Sequence, residues 1–239
     1  MKRTVLLITT FLLSLTLLNA QILKSISDKL AGSGKLGSGL SSDEIANGLK
    51  EALQVGATKG SDKLSAVDGF FKDAAIKILM PEEAKKVEKT LRGMGLGAQV
   101  DDAILSMNRA AEDAASGVGQ IFWNAIKQMS ITDGLQILNG GDFAATDYLK
   151  KVTTIELTEK FKPVIETSLT KTDATKYWND VFSNYNKFSS NKVNPDLTAY
   201  VTEKALNGLF YNIGLEEQKI RKDPAAQVTG ILKKVFGGK

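Results

Sequence analysis

Apolar residues recur three or four positions apart along most of the chain from residue 41 onwards. The spacing begins with Ile45, Leu49 and Leu53, and similar stripes follow to the C-terminus. This period is that of one face of an α-helix. No run alternates apolar and polar residues between paired turn signals, so we predict no sheet. The pattern predicts an all-α fold: a single multi-helix domain of roughly eight to ten helices over residues 42–239.

Capping and turn residues indicate where these helices begin and end. Ser41 and Glu44 match a capping box, which predicts a helix N-terminus near residue 41. Residues 68–78 are expected to form a short helix. Gly117 and Gly119 interrupt one apolar stripe and predict a break between two helices. Asp142 is expected to cap the helix after it, and residue 194 to cap one starting at Pro195.

The first twenty residues have the order of a secretory signal. Lys2 and Arg3 precede an uncharged, mostly apolar run over residues 4–18, and small or neutral residues lead to Ala20. The run is shorter than the about 20 residues of a spanning helix. We predict a signal peptide over residues 1–20, cleaved after Ala20. The periplasm is the expected location, with full secretion as the alternative and an uncleaved anchor as a further one.

Residues 21–41 are predicted to lie outside the helical domain. Ile22, Leu23, Ile26 and Leu30 are at helical spacing, which indicates a short amphipathic segment. The following residues are rich in Gly and Ser, as in a flexible linker. A G-x-G-x-x-G pattern at residues 32–37 falls within this linker. Because no strand precedes it, it does not indicate a nucleotide cofactor, and we predict no cofactor.

Composition removes many reaction mechanisms. The chain contains no Cys and no His, so thiol nucleophiles, thiolate zinc sites and Ser-His-Asp triads are excluded. These absences favour a non-enzymatic function; an enzyme here would use carboxylates, Lys, Tyr, Ser or Thr. The formal net charge is +4 over the whole chain and smaller after signal cleavage, which argues against a nucleic-acid partner.

One polar cluster on a predicted helix is the candidate ligand-binding site. Asn108 and Glu112 lie four residues apart on the same face, and Arg109 is within reach of Glu112. The functional interpretation is a polar pocket, joined by an aromatic residue such as Tyr211. The alternative is a satisfied packing network or a solvated face, which is common for such pairs.

Other acidic positions do not indicate a catalytic or metal site. The doublets at residues 101–102 and 216–217 point in diverging directions on a helix, so neither forms a facing carboxylate pair by itself. Residues 139–147 offer oxygen atoms but lack the pattern of a calcium loop. We therefore predict no catalytic residues and no metal ligands.

Basic residues concentrate at the C-terminal end. Residues 219–239 contain Lys219, Arg221, Lys222, Lys233 and Lys234 beside apolar residues at helical spacing. Such a segment is able to contact an anionic membrane surface weakly. The alternative is a last helix that packs on the bundle with its basic side chains in water.

Three separated segments resemble one family. They are S-M-N-R-A-A-E at residues 106–112, N-G-G-D-F-A-A-T at residues 139–146, and residues 192–236 with K-V-N-P-D-L, A-L-N-G-L-F-Y and E-E-Q-K-I-R. Together they resemble domain of unknown function family 4197 over about residues 42–237. The resemblance implies an exported helical protein of the bacterial cell envelope. It implies no activity, cofactor or catalytic residue.

These observations lead to one main functional expectation and two alternatives. We expect a non-enzymatic periplasmic binding or interaction protein, whose partner is an envelope protein or a small ligand. The first alternative is a carboxylate-dependent hydrolase of envelope glycans. The second is a peripheral membrane protein held by its basic C-terminal helix.

Overall fold

The computed structural model describes residues 41–172, 174–188 and 195–227, with the single residues 190, 192, 230 and 233. These residues belong to one compact unit. In the described part of the chain the secondary structure is helical, with no strand. The eight α-helices there are α1 (Ser42–Ser65), α2 (Lys85–Gly93), α3 (Gly97–Ala115), α4 (Gly119–Gln128), α5 (Ile131–Asn139), α6 (Ala144–Thr170), α7 (Ala174–Phe188) and α8 (Leu197–Lys222). Short 3-10 helices cover Glu82–Ala84 and Pro224–Ala226. The predicted all-α class and single domain are confirmed.

The long helices α6 and α8 pack along each other, with α1 and α3 against them. Gly60 of α1 lies against Ile213, and Gly56 lies against Ile220, so α1 and α8 run in opposite directions. Burial of the apolar stripes stabilises this arrangement, at roughly 25 cal/mol per Å² of apolar surface. The largest side chains in the core include Leu49, Met107, Phe122, Leu157, Phe161 and Ile165.

The irregular segment over residues 66–81, here called the strap, crosses the bundle between α1 and the first 3-10 helix. The predicted helix over residues 68–78 is therefore wrong. Asp68 adopts a left-handed backbone conformation with φ of 70°, which interrupts a helix. A Cβ at Gly69 would lie 2.5 Å from the carbonyl oxygen of Lys63, so the next position requires glycine. Turns bond part of the strap backbone to itself, and the N–H groups of Phe70, Phe71 and Ile78 bond to side chains from α3.

Helix ends agree with the sequence where the capping residue is local. The Ser41–Glu44 capping box is present, and the break before Gly119 separates α3 from α4. Asp142, in contrast, does not cap α6. Its role is taken by Glu217, whose carboxylate accepts the backbone N–H groups of Ala145 at 3.0 Å and Thr146 at 2.8 Å.

The N-terminus of α8 also differs from the prediction. Asp196, rather than residue 194, is the capping residue, and it accepts the N–H of Ala199. Residue 194 itself lies outside the described residues. Among the helices that the structure describes, none combines the length and the apolar character needed to cross a membrane.

Two helix glycines provide a test of the packing. A Cβ at Gly208 would lie 2.5 Å from Cε1 of the buried Phe70, whereas one at Gly56 meets Ile220 at an ordinary 3.7 Å. Alanine gains about 1 kcal/mol over glycine inside a helix, and overpacking costs about 1–3 kcal/mol.

We therefore expect Gly56→Ala to raise the free energy of unfolding and Gly208→Ala to lower it, with a separation of about 2 kcal/mol. Urea unfolding followed by circular dichroism measures both. Equal stability of the two variants would contradict the close packing of Phe70 on α8.

Candidate functional site

The predicted polar cluster lies on α3, and its side chains point at the strap. Asn108 is fully buried and Glu112 is 3% exposed. Arg109 lies beside them at the edge of the bundle. The structure therefore brings these three residues together, as the helical spacing indicated.

The side chain of Asn108 makes the two hydrogen bonds to Ile78 of the strap that a neighbouring backbone would make in a sheet. Its Oδ1 accepts the N–H of Ile78 at 2.9 Å, and its Nδ2 donates to the carbonyl oxygen of Ile78 at 2.8 Å and to that of Ile104 at 2.7 Å. Both polar groups of one strap residue are thus satisfied away from water. Leaving such groups unpaired would cost about 1–3 kcal/mol each.

Glu112 holds the other end of the strap. Its Oε1 accepts the N–H groups of Phe70 at 3.0 Å and Phe71 at 3.1 Å, while its Oε2 accepts from Arg109. The guanidinium of Arg109 also donates to Asp68 at 2.7 Å. A buried carboxylate needs such a complete set of donors, because an uncompensated charge is strongly destabilising there.

Asp68 forms ion pairs with Lys72 and Arg109 beside this cluster. Hydrogen bonds from Lys72 and then from Arg109 lower the pKa of Asp68 below its ordinary 3.8. The ion pairs of Asp68 therefore contribute above that ordinary value and are lost as the pH falls through the lowered pKa.

Tyr211 lies apart from the polar cluster, on α8. It is 46% exposed and lines a groove between the strap and α8. Asn108, Arg109 and Glu112 are not among the residues that line this groove. The two parts of the predicted site are linked through Ile78, which Asn108 holds and which lines the groove with Tyr211.

This first groove, here called the aromatic groove, has a volume of about 770 Å³. It lies between the strap and α8, and its lining includes Lys77, Leu79, Trp178, Tyr200, Lys204 and Tyr211. Tyr200 donates its hydroxyl to the carbonyl oxygen of Leu79 at 2.8 Å, and its ring stacks on Trp178 with 6.0 Å between centroids. Burial, followed by the negative charges of Glu203, Glu83 and Glu82, raises the pKa of Tyr200 to about 12.

A second groove, here called the apolar groove, has a volume of about 580 Å³. It lies between α2, α3, α7 and the start of α8. Its lining is mostly aliphatic and aromatic, with Val87, Leu91, Val100, Ala103, Met107 and Phe182 among its residues. This size and character are those of ligand sites in proteins.

The helix α2 is unusual in having no buried residue. Its apolar stripe, including Val87 and Leu91, faces the apolar groove and is only partly covered. An amphipathic helix normally buries such a stripe against the core. The apolar face of α2 is therefore left open along the groove.

Sequence reasoning did not single out α2 as part of a site. The available signal was an amphipathic stripe on a short helix between Pro81 and the glycines at residues 93, 95 and 97. Aromatic residues also concentrate between residues 177 and 211, a pattern that fits either a core or a cleft. Trp178 and Phe182 meet both descriptions, since they are buried and also line the apolar groove.

The acidic doublets have structural partners. Glu216 pairs with Lys219, and the buried Glu217 pairs with Arg221. Asp101 pairs with Arg92. Where the surroundings shift the pKa of a carboxyl group in the described residues, the shift is downward. Those groups are Asp68, Asp73, Asp101, Asp133 and Asp142.

The polar loop before α6 and the basic end of α8 contact each other. Asp142 accepts from Gln218 and Lys222. Arg221 also donates to the carbonyl oxygen of Ile137. Three residues of the predicted membrane contact, Lys219, Arg221 and Lys222, therefore pair with acidic side chains. Lys233 is exposed, and residue 234 lies outside the described residues.

No group of three or more Asp and Glu side chains suited to a metal ion occurs within the described ranges. The geometry thus defines a helical protein with two adjoining grooves and a polar clamp that fixes the wall between them.

The chain belongs to the family described as "Protein of unknown function (DUF4197)", whose model matches residues 39–237. The family resemblance expected from the sequence is confirmed. No curated protein and no solved structure matches the chain.

Removal of the Asn108 side chain tests the polar clamp. We expect Asn108→Ala to lower the free energy of unfolding by about 2–3 kcal/mol, because both polar groups of Ile78 lose their partner. The substitution should accelerate hydrogen exchange of the Ile78 amide more than that of amides at the centre of α6. The exposed Asn47→Ala on α1 is the control and should be near neutral. Unchanged exchange at Ile78 would contradict the clamp.

The titration of Asp68 gives a second test. We expect its carboxyl midpoint, followed by NMR, to lie below 3.8. It should rise in Lys72→Gln and in Arg109→Gln, since each removes a donor that favours the charged form. Midpoints that stay unchanged in both variants would show that these ion pairs do not form in solution.

Proposed function

We propose that this protein is a non-enzymatic binding protein of the cell envelope, and that its ligand site is the apolar groove. The observation that carries the proposal is the open apolar face of α2 above a cavity of about 580 Å³. Unfilled apolar surface of this kind favours occupation by an apolar group, because binding removes it from water.

The sequence of the first twenty residues supports the envelope part of this proposal. The N-terminal pattern of basic, apolar and small residues is that of a signal peptide. The periplasm is the location we propose. In that compartment a chain without cysteine needs no disulfide chemistry to fold.

A binding role is favoured over glycan hydrolysis by the electrostatics of the acidic residues. Hydrolysis requires a carboxylic acid whose pKa is raised, facing a second carboxylate. The shifted carboxyl groups that the structure describes have lowered pKa values instead, and Glu112 and Glu217 are occupied by backbone N–H groups and arginines.

In this proposal the predicted residues Asn108, Arg109 and Glu112 position the strap, and Met80 of that strap lines the apolar groove. Tyr211 belongs to the adjoining aromatic groove. The polar cluster would thus support ligand binding without contacting an apolar ligand in the groove.

Filling the apolar groove tests the proposal. The chain has two tryptophans, so Trp123→Phe leaves Trp178 of the groove as the single reporter. We expect the neutral fluorophore 1-N-phenylnaphthylamine to bind and to receive energy from Trp178. Ala103→Phe should weaken that binding at least ten-fold, because the new ring occupies the groove.

Ala98→Phe is the matched control. Ala98 is exposed on the same helix and is not among the residues that line the apolar groove, so its replacement should leave binding unchanged. Absence of fluorophore binding to the parent protein, or equal binding by both variants, would contradict the proposed site.

A further inference from the structure

The two grooves meet at shared residues. Met80 of the strap and Trp178 of α7 line both of them. A molecule longer than either groove is therefore able to lie across this junction, with one part on each side. The two sides differ in chemistry, which restricts what such a molecule can be.

Charge distinguishes the two sides. The charged side chains among the lining of the apolar groove are acidic, Glu88 and Asp102. The aromatic groove instead contains Lys77, Lys192 and Lys204, together with Glu82 and Glu83. Among the lining residues, cations thus outnumber acids only beyond the junction; Glu203 acts on Tyr200 but is not one of them.

Of the three lysines in the aromatic groove, Lys192 donates to the carbonyl oxygen of Asn186, which leaves Lys77 and Lys204 as the candidates for an anion. Within the described ranges, none of the three has a carboxylate oxygen within 4.0 Å, whereas Glu82 pairs with Lys85 outside the groove. Lys77 lies 3.9 Å above the ring of Phe71, and Lys204 lies 5.5 Å from that of Tyr200. Such cation–π contacts orient an ammonium without neutralising its charge.

We infer that the ligand is a single-chain anionic amphiphile, with its acyl chain in the apolar groove and its headgroup beside Lys77 and Lys204 in the aromatic groove. This inference rests on the proposed function and specifies its ligand class. The acyl chain covers the open face of α2, and the anion pairs with Lys77 and Lys204. The stacked Trp178 and Tyr200 form the apolar floor of the junction.

Monomeric single-chain amphiphiles with different headgroups test this assignment. Lysophosphatidylglycerol, lysophosphatidylcholine and dodecyl maltoside are titrated below their critical micelle concentrations into the Trp123→Phe protein, with Trp178 fluorescence as the signal. We expect the anionic lipid to bind at least ten-fold more tightly than the other two. Increased salt should reduce this preference, because Lys77 and Lys204 are partly exposed to solvent.

Removal of two positive charges from the aromatic groove is a second test of the inferred ligand. The double variant Lys77→Gln, Lys204→Gln should weaken lysophosphatidylglycerol binding about ten-fold and leave 1-N-phenylnaphthylamine binding unchanged. The control double variant Lys150→Gln, Lys162→Gln removes two exposed lysines from α6 and should affect neither ligand.

The outcomes separate this inference from the proposed function. Fluorophore binding without a preference for the anionic lysolipid would overturn the inference and leave the apolar site intact. Binding only to phosphatidylglycerol vesicles, with no monomer bound, would also overturn it and indicate a membrane surface as the partner. If neither the fluorophore nor any lysolipid binds, both proposals are wrong.

Discussion

The backbone of the strap is the constraint on which the rest of this structure depends. The turns of the strap satisfy some of its own backbone groups, but the buried N–H groups of Phe70 and Ile78 need partners from elsewhere. Asn108 and Glu112 supply those partners from one face of α3. The strap is thereby fixed against α3 and α8, where it forms the wall shared by the two grooves.

The same solution appears at the N-terminus of α6. Glu217 of α8 accepts the first N–H groups of α6, as Glu112 accepts those of the strap, and an arginine on the same helix completes each carboxylate. Both acids are buried and have several donors. Their chemistry is therefore that of structural anchors, and the open surfaces of the molecule lie elsewhere.

Local patterns were sufficient to predict most helices, because their apolar stripes and the Ser41 cap depend on neighbours in sequence. The strap was not predictable in this way. Apolar residues such as Phe70 and Ile78 have helical spacing, but their N–H groups bond to side chains 30 or more residues away. The N-terminal cap of α6 failed for the same reason, since Glu217 lies more than 70 residues from Ala145.

In the candidate site too, the features that depend on neighbours in sequence were predictable and those that depend on distant residues were not. The grouping of Asn108, Arg109 and Glu112 followed from helical spacing, whereas their target on the strap did not. Tyr211 was placed in a groove by the fold, and the groove wall from α2 was missed because its stripe resembles any core-facing stripe. Only the tertiary structure shows that Val87 and Leu91 are left partly uncovered.

The most direct measurement is photo-crosslinking with a lysophosphatidylglycerol whose acyl chain carries a diazirine, followed by peptide mass spectrometry of the intact folded protein. The account predicts labels on groove residues of α2 and α3, such as Val87, Leu91 and Ala103, at low lipid concentration. Labels confined to exposed apolar side chains outside the groove, such as Val152 and Ile155 of α6, would contradict it.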